Sequence, residues 1–215
     1  MAWMRGVLAG LVMAVMSVGS GLAQERGRGA PAGRCLVPPV RSLFAEPASY
    51  VYPELAGKSL RLGQGEGRVQ WLAASWFGPM QGRLFALDCA GKLLGRLEEA
   101  GFMRQFRAGP VIEGVGPTVL LEATTGTGTG LREDRVRVVA LVDRAAKVLW
   151  DHASLTTDAG SPATAFEEKW GWKFSADGRQ VEVRGTRTEA GRRGKTALAK
   201  AAFCWDDGAR VFGKF

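Results

Sequence analysis

Histidine is nearly missing from this 215-residue chain, which has only His152. A single imidazole excludes a histidine-rich metal site and leaves one candidate for general-base work. Tyrosine is scarce too, with only Tyr50 and Tyr52, so the aromatic girdles of a membrane-spanning barrel are not provided for. Cysteine is limited to Cys35, Cys89 and Cys204. Their spacing fits no metal-ligand pattern, and a cysteine nucleophile would have only His152 as a partner. An oxidising compartment favours one disulfide among the three, and the sequence leaves all three pairings open. After the first two dozen residues no apolar run approaches the ~20 residues that a membrane helix requires.

What the chain does have begins at its start. Arg5 is the only charged residue before Glu25, and Val7, Leu8, Leu11, Val12, Val15 and Val18 form a short apolar run. Gly21 and Ala23 then fit a small-x-small exit. A basic start, a short apolar run and small residues predict a signal peptide over 1–23, cleaved near Ala23. The expectation is an exported protein, periplasmic or secreted. Residues 24–49 are rich in Pro, Gly and Arg and read as a disordered tether. Leu36, Val37, Val40, Leu43 and Phe44 are the groups able to pin it to the body. Residues 50–215 read as a single β-rich domain.

Trp170–Arg187 carries the strongest local pattern. With Asp177-Gly178 as a two-residue type I′ turn, Phe174 faces Val181, Trp172 faces Val183 and Trp170 faces Gly185. On the opposite face Lys173 meets Glu182. Turn, apolar face and charge pair agree on one register. Further hairpins are expected over Arg135–Ser154 (Val142 beside Val148, Val138 beside His152) and over Arg83–Arg96, turning at Ala90-Gly91 with Leu87 beside Leu94. Another turns at Asp207-Gly208, with Phe203 opposite Phe212. Lys92–Ala100 reads as a strand with a helical alternative, and alanine-rich Lys195–Ala202 fits either. The fold class is all-β: an antiparallel meander of short hairpins, sandwich-like or partial-propeller-like, with at most one or two short helices.

Two trios of strands, Val69–Trp76, Arg83–Leu87 and Lys92–Leu97, then Thr118–Thr124, Arg135–Val142 and Lys147–His152, lie roughly 50 residues apart, a blade-like period. Phe85-Ala86-Leu87-Asp88-Cys89-Ala90-Gly91-Lys92-Leu93-Leu94 echoes Val139–Trp150. Both resemble the Ala-Leu-Asp…Gly-Lys…Leu-Trp blades of quinoprotein-type β-propellers. The likeness covers two short pieces; the second lacks the turn glycine and the first the tryptophan. It implies blade-like strand trios, and no cofactor is carried over from it.

The formal net charge is +8, which attracts anionic surfaces. Arg184, Arg187, Arg192, Arg193 and Lys195 are the candidate contacts, with Lys200 beyond them. Only Phe174 lies between Trp172 and Phe203, too few aromatics for base stacking, which points away from nucleic acid. The partners left are an anionic envelope component or another exported protein. The Thr124–Gly130 run has no helix or Walker lysine after it and reads as a hairpin loop. The adjacent acids Glu98-Glu99, Glu167-Glu168 and Asp206-Asp207 point to opposite strand faces. No nucleophile elbow accompanies His152, Asp151, Ser75 and Ser154. Trp71, Trp76, Trp150, Trp170, Trp172 and Trp205 supply either core or a sugar-binding face. The sequence thus predicts an exported β-protein with a binding or structural role. The alternatives are an envelope-polymer hydrolase, which requires two acids from separate strands in one cleft, and a small outer-membrane barrel.

Overall fold

The computed structural model describes Cys35, Leu43 and residues 56–63, 68–76, 81–98 and 100–214. The expected signal peptide lies outside these residues, and the tether is represented by Cys35 and Leu43 alone. The expected all-β, mainly antiparallel fold is found, in two sheets.

The smaller sheet has the order β1 (Ala56–Leu62), β2 (Val69–Trp76), β3 (Gln81–Leu87) and β4 (Leu93–Leu97). Its outer face buries Leu72, Ala74, Phe85 and Leu87, with Leu43 packed against them. Cys35 and Cys89 form a disulfide across 54 residues of sequence. Closing a loop of that length removes roughly 4 kcal/mol of unfolded-state entropy.

The larger sheet is formed by β5 (Phe102–Ile112), β6 (Gly116–Thr127), β7 (Leu131–Val142), β8 (Ala145–Asp158), β9 (Phe166–Phe174), β10 (Gln180–Glu189), β11 (Thr196–Ala197), β12 (Ala201–Asp206) and β13 (Val211–Lys214). Its path is β13-β12-β10-β9-β8-β7-β6-β5, with β11 against β10 and no closure into a barrel. β8 and β9 pair only from Leu155–Asp158 to Phe166–Lys169, whereas β9 pairs with β10 over its whole length. The sheet therefore forks after Lys169 and folds back over itself.

The fold is layered, with β6–β8 in the middle. On one face Leu120, Val136, Val138 and Trp150 pack against Val181, Val183, Trp205 and Phe212 from the folded-back half. On the other, Val119, Leu121 and Val139 meet Trp71, Leu84 and Ala86 of the small sheet. Val138-Val139-Ala140-Leu141-Val142 is apolar without alternation because both faces of β7 are covered. The stacking is sandwich-like. The two segments that echo propeller blades lie in different sheets.

The β9–β10 register is the expected one: Phe174 with Val181, Lys173 with Glu182, Trp172 with Val183 and Trp170 with Gly185. Its turn differs. Gly178 N–H bonds the Ser175 carbonyl at 3.0 Å, and only Gly178 of the central pair has positive φ, 71°. This is a type I turn closed by a left-handed glycine, not type I′. Positive φ at consecutive positions occurs instead at Asp143 (52°) and Arg144 (60°). That turn pairs Val142 with Ala145, and a bulge then sets Val138 against Trp150, so the expected pairing over Arg135–Ser154 is shifted. Leu87 faces Leu93 rather than Leu94, again beside a bulge. The last hairpin has four loop residues, so Phe212 faces Trp205 rather than Phe203. Lys92–Ala100 contains a strand, as expected. A Cβ on Gly95 would lie 2.9 Å from the Ala146 nitrogen, a close approach to β8 that only glycine permits here.

Candidate groove at the sheet fork

The fork opens a cleft. On the face shared by β6, β7 and β8, residues alternate as Leu120-x-Glu122-x-Thr124, Val138-x-Val136-x-Asp134-x-Arg132 and Trp150-x-His152-x-Ser154. At one end these side chains are apolar and covered by the folded-back half; at the other they are polar, and Glu122, Arg132, Asp134 and Ser154 border the cleft. One continuous face thus changes from apolar core to polar cleft wall within two residues on each strand.

The cleft encloses about 470 Å³, bordered by Glu122, Arg132, Asp134 and Ser154 on one side and Trp170 and Trp172 on the other. A second hollow of about 360 Å³ shares Trp172 and runs past Arg107 and Leu120 to Ser175. Together they make a groove along the edge of β9 that β8 leaves free. The β9–β10 turn closes its far end: a Cβ on Gly178 would lie 2.4 Å from the Val111 carbonyl oxygen of β5.

Asp134 organises the polar end. It is 3% exposed and accepts from Thr124 Oγ1 at 2.6 Å, Arg132 Nε at 3.2 Å and Arg132 Nη2 at 2.7 Å. Arg104 Nη1 approaches Oδ2, the oxygen that also takes Arg132 Nη2, at 3.4 Å. A buried carboxylate needs such compensation, and a two-pronged arginine supplies it. Ser154 donates to Glu122 at 2.9 Å, with the Asp134 carbonyl as a second acceptor at 3.2 Å.

The tryptophans divide. Trp71, Trp150 and Trp205 are buried in the core, while Trp170 and Trp172 are half-buried and border the groove. The side chain of Trp76 lies outside the described residues. Trp170 meets His152 edge-on, with centroids 5.1 Å apart.

The other candidates do not assemble into a catalytic group. His152 Nδ1 bonds the adjacent Ala153 carbonyl at 2.7 Å, and its ring lies among Trp150, Trp170 and Phe203. Asp151 is engaged by Arg135 at 2.8 Å and Arg137 at 3.3 Å. Ser75 is buried in the small sheet. Glu98 pairs with Arg83, Glu167 with Lys169, Glu168 with Arg187, and Asp207 with Arg179. Thr124–Gly130 is the β6–β7 hairpin end, as its lack of a following helix implies.

Three of the five candidate anion contacts are paired within the molecule. Arg184 ion-pairs with Glu182, Arg187 with Glu168 and Glu189, and Arg192 with Glu189. Arg187 also covers the Phe166 ring at 4.1 Å. Arg193 and Lys195, in the β10–β11 connection, are exposed and have no acidic partner among the described residues. Of the cysteines, Cys35 and Cys89 are joined and Cys204 on β12 is free. The sequence missed Glu122, Asp134, Arg104 and Arg107 as a group; the usable signal was the shift from apolar to polar at matching ends of β6 and β7.

Compared with known proteins, the chain matches no family model, no curated protein and no solved structure.

Proposed function

We propose that this is an exported, non-catalytic binding protein of the cell envelope that takes a saccharide chain in the groove beside β9. The supporting observation is the pairing of Trp170 and Trp172, half-buried on one strand face, with the hydrogen-bonding array of Glu122, Arg132 and Arg104 opposite them. Indole faces pack on the C–H surfaces of sugar rings, while polar groups opposite read the hydroxyls. Two positions along a strand span about 7 Å, which suits successive contacts along an extended chain. Export is supported by the predicted signal peptide and agrees with a Cys35–Cys89 disulfide.

Glu122 and Asp134 come from separate strands into one cleft, as the hydrolase alternative requires. Asp134 nevertheless has both oxygens occupied by Thr124 and Arg132. Glu122 is itself engaged by Ser154, so both carboxylates are tied into the protein's own hydrogen bonds, unlike the open pair that such hydrolysis uses. This favours binding over cleavage.

The test is a fluorescence titration of the purified protein with a panel of neutral and acidic tetrasaccharides. At least one should quench or shift tryptophan emission saturably, and Trp172→Ala should weaken it about tenfold. Unchanged affinity in Trp172→Ala would remove the aromatic platform from the account.

A further inference from the structure

We infer that the saccharide is acidic, carrying carboxylate or phosphate groups, and that Arg107 is the residue selecting for that charge. This rests on the saccharide reading and adds the ligand's chemical class. The charges bordering the groove are Arg104, Arg107, Arg132 and Lys169 against Glu122 and Asp134. Lys169 is matched by Glu167 at 2.8 Å. Asp134 is a single carboxylate facing two guanidinium groups. Each guanidinium has five N–H donors, and Asp134 engages one from Arg104 and two from Arg132. The remaining donors are held in place by a buried anchor, which lowers the entropy cost of binding an oxyanion.

Arg107 makes the excess positive. It is exposed on β5, faces apolar Leu120 across the ladder and has no acidic partner among the described residues. It borders the same hollow as Trp172. A ligand lying on that indole therefore passes an unpaired cation, where a charge-assisted hydrogen bond is available. The cations on β10 and just after it differ, because Arg184, Arg187 and Arg192 are already matched by glutamates.

The experiment is calorimetric titration of the full protein at physiological salt with tetragalacturonate, galactotetraose and 6-phosphorylated galactotetraose. Wild type, Arg107→Gln, Trp172→Ala and the double variant Arg193→Gln/Lys195→Gln are compared. At least one acidic probe should bind about tenfold tighter than the neutral one. Arg107→Gln should erase most of that preference, and the surface double variant should change it less than twofold. Whichever acidic probe binds better identifies carboxylate or phosphate as the source. Equal affinity for neutral and acidic probes, or equal loss in Arg107→Gln and the surface double variant, overturns the inference but leaves the groove standing. Binding insensitive to Trp172→Ala but lost in Arg107→Gln overturns the saccharide platform alone. Failure of all three probes to bind overturns both.

Discussion

Trp170 rests on Gly185. The two face each other across the β9–β10 ladder, and a Cβ on Gly185 would lie 2.6 Å from the indole Cε3. The missing side chain is what lets the ring lie down and present its other surface to the groove. Gly185→Ala should push the ring off its seat, shift tryptophan emission and cost about 1–3 kcal/mol of stability. Gly171→Ala is the control, since its nearest contact is at 4.0 Å. Chemical denaturation of both variants checks this, and equal stabilities would mean that Gly185 is not a seat.

The far end of the groove depends on Gly178, which combines φ of 71° with close approach to the Val111 carbonyl. Gly178→Val adds backbone strain and a backbone collision that no side-chain movement relieves. A loss of roughly 3 kcal/mol or more is expected, measured as a fall in the thermal midpoint. A midpoint equal to wild type would detach this turn from β5.

Gln70 is fully buried beside Leu72 and Leu87, yet neither Nε2 nor Oε1 has a hydrogen-bond partner among the described residues. A buried amide without partners forfeits its hydration for nothing in return. Gln70→Leu should therefore stabilise the protein, by about 1–3 kcal/mol in urea unfolding. Destabilisation would indicate that the amide is satisfied.

Asp207 is held below the ordinary aspartate value of 3.8, chiefly by the Arg179 guanidinium and also by the Trp205 indole N–H. Asp177 is lowered likewise, first by the Ser175 hydroxyl and then by the Arg179 backbone N–H. With folded values below unfolded ones, their stabilisation is complete above about pH 4–5 and disappears as pH falls through the folded values. Between pH 5 and pH 3, wild type should lose more thermal stability than Asp207→Asn. Parallel losses would remove this pair from the acid response.

How much of this was legible in the sequence depends on how many constraints met at one place. The β9–β10 register was readable because the turn, the tryptophan face and the Lys173–Glu182 pair admit one alignment. The β7–β8 register was not, because Asp143-Arg144 adopts left-handed backbone without glycine and a bulge follows. Loop length misled at Asp207-Gly208, where two further residues enter the turn. The disulfide partners needed the structure, since spacing cannot choose among three pairings. The groove was the least legible feature. It arises where β9 leaves β8, and nothing in the alternation of either strand marks that separation. Trp170 and Trp172 show the same limit: period two placed them with the core residues, and only the fork leaves them half-uncovered.

The most direct measurement follows the indole N–H signals of the ¹⁵N-labelled protein by NMR during titration with the tetrasaccharide that binds best. The account predicts saturable shifts for Trp170 and Trp172, with Trp71, Trp150 and Trp205 unmoved. Shifts spread evenly over the buried indoles, or none at Trp170 and Trp172 while the ligand binds, would contradict it.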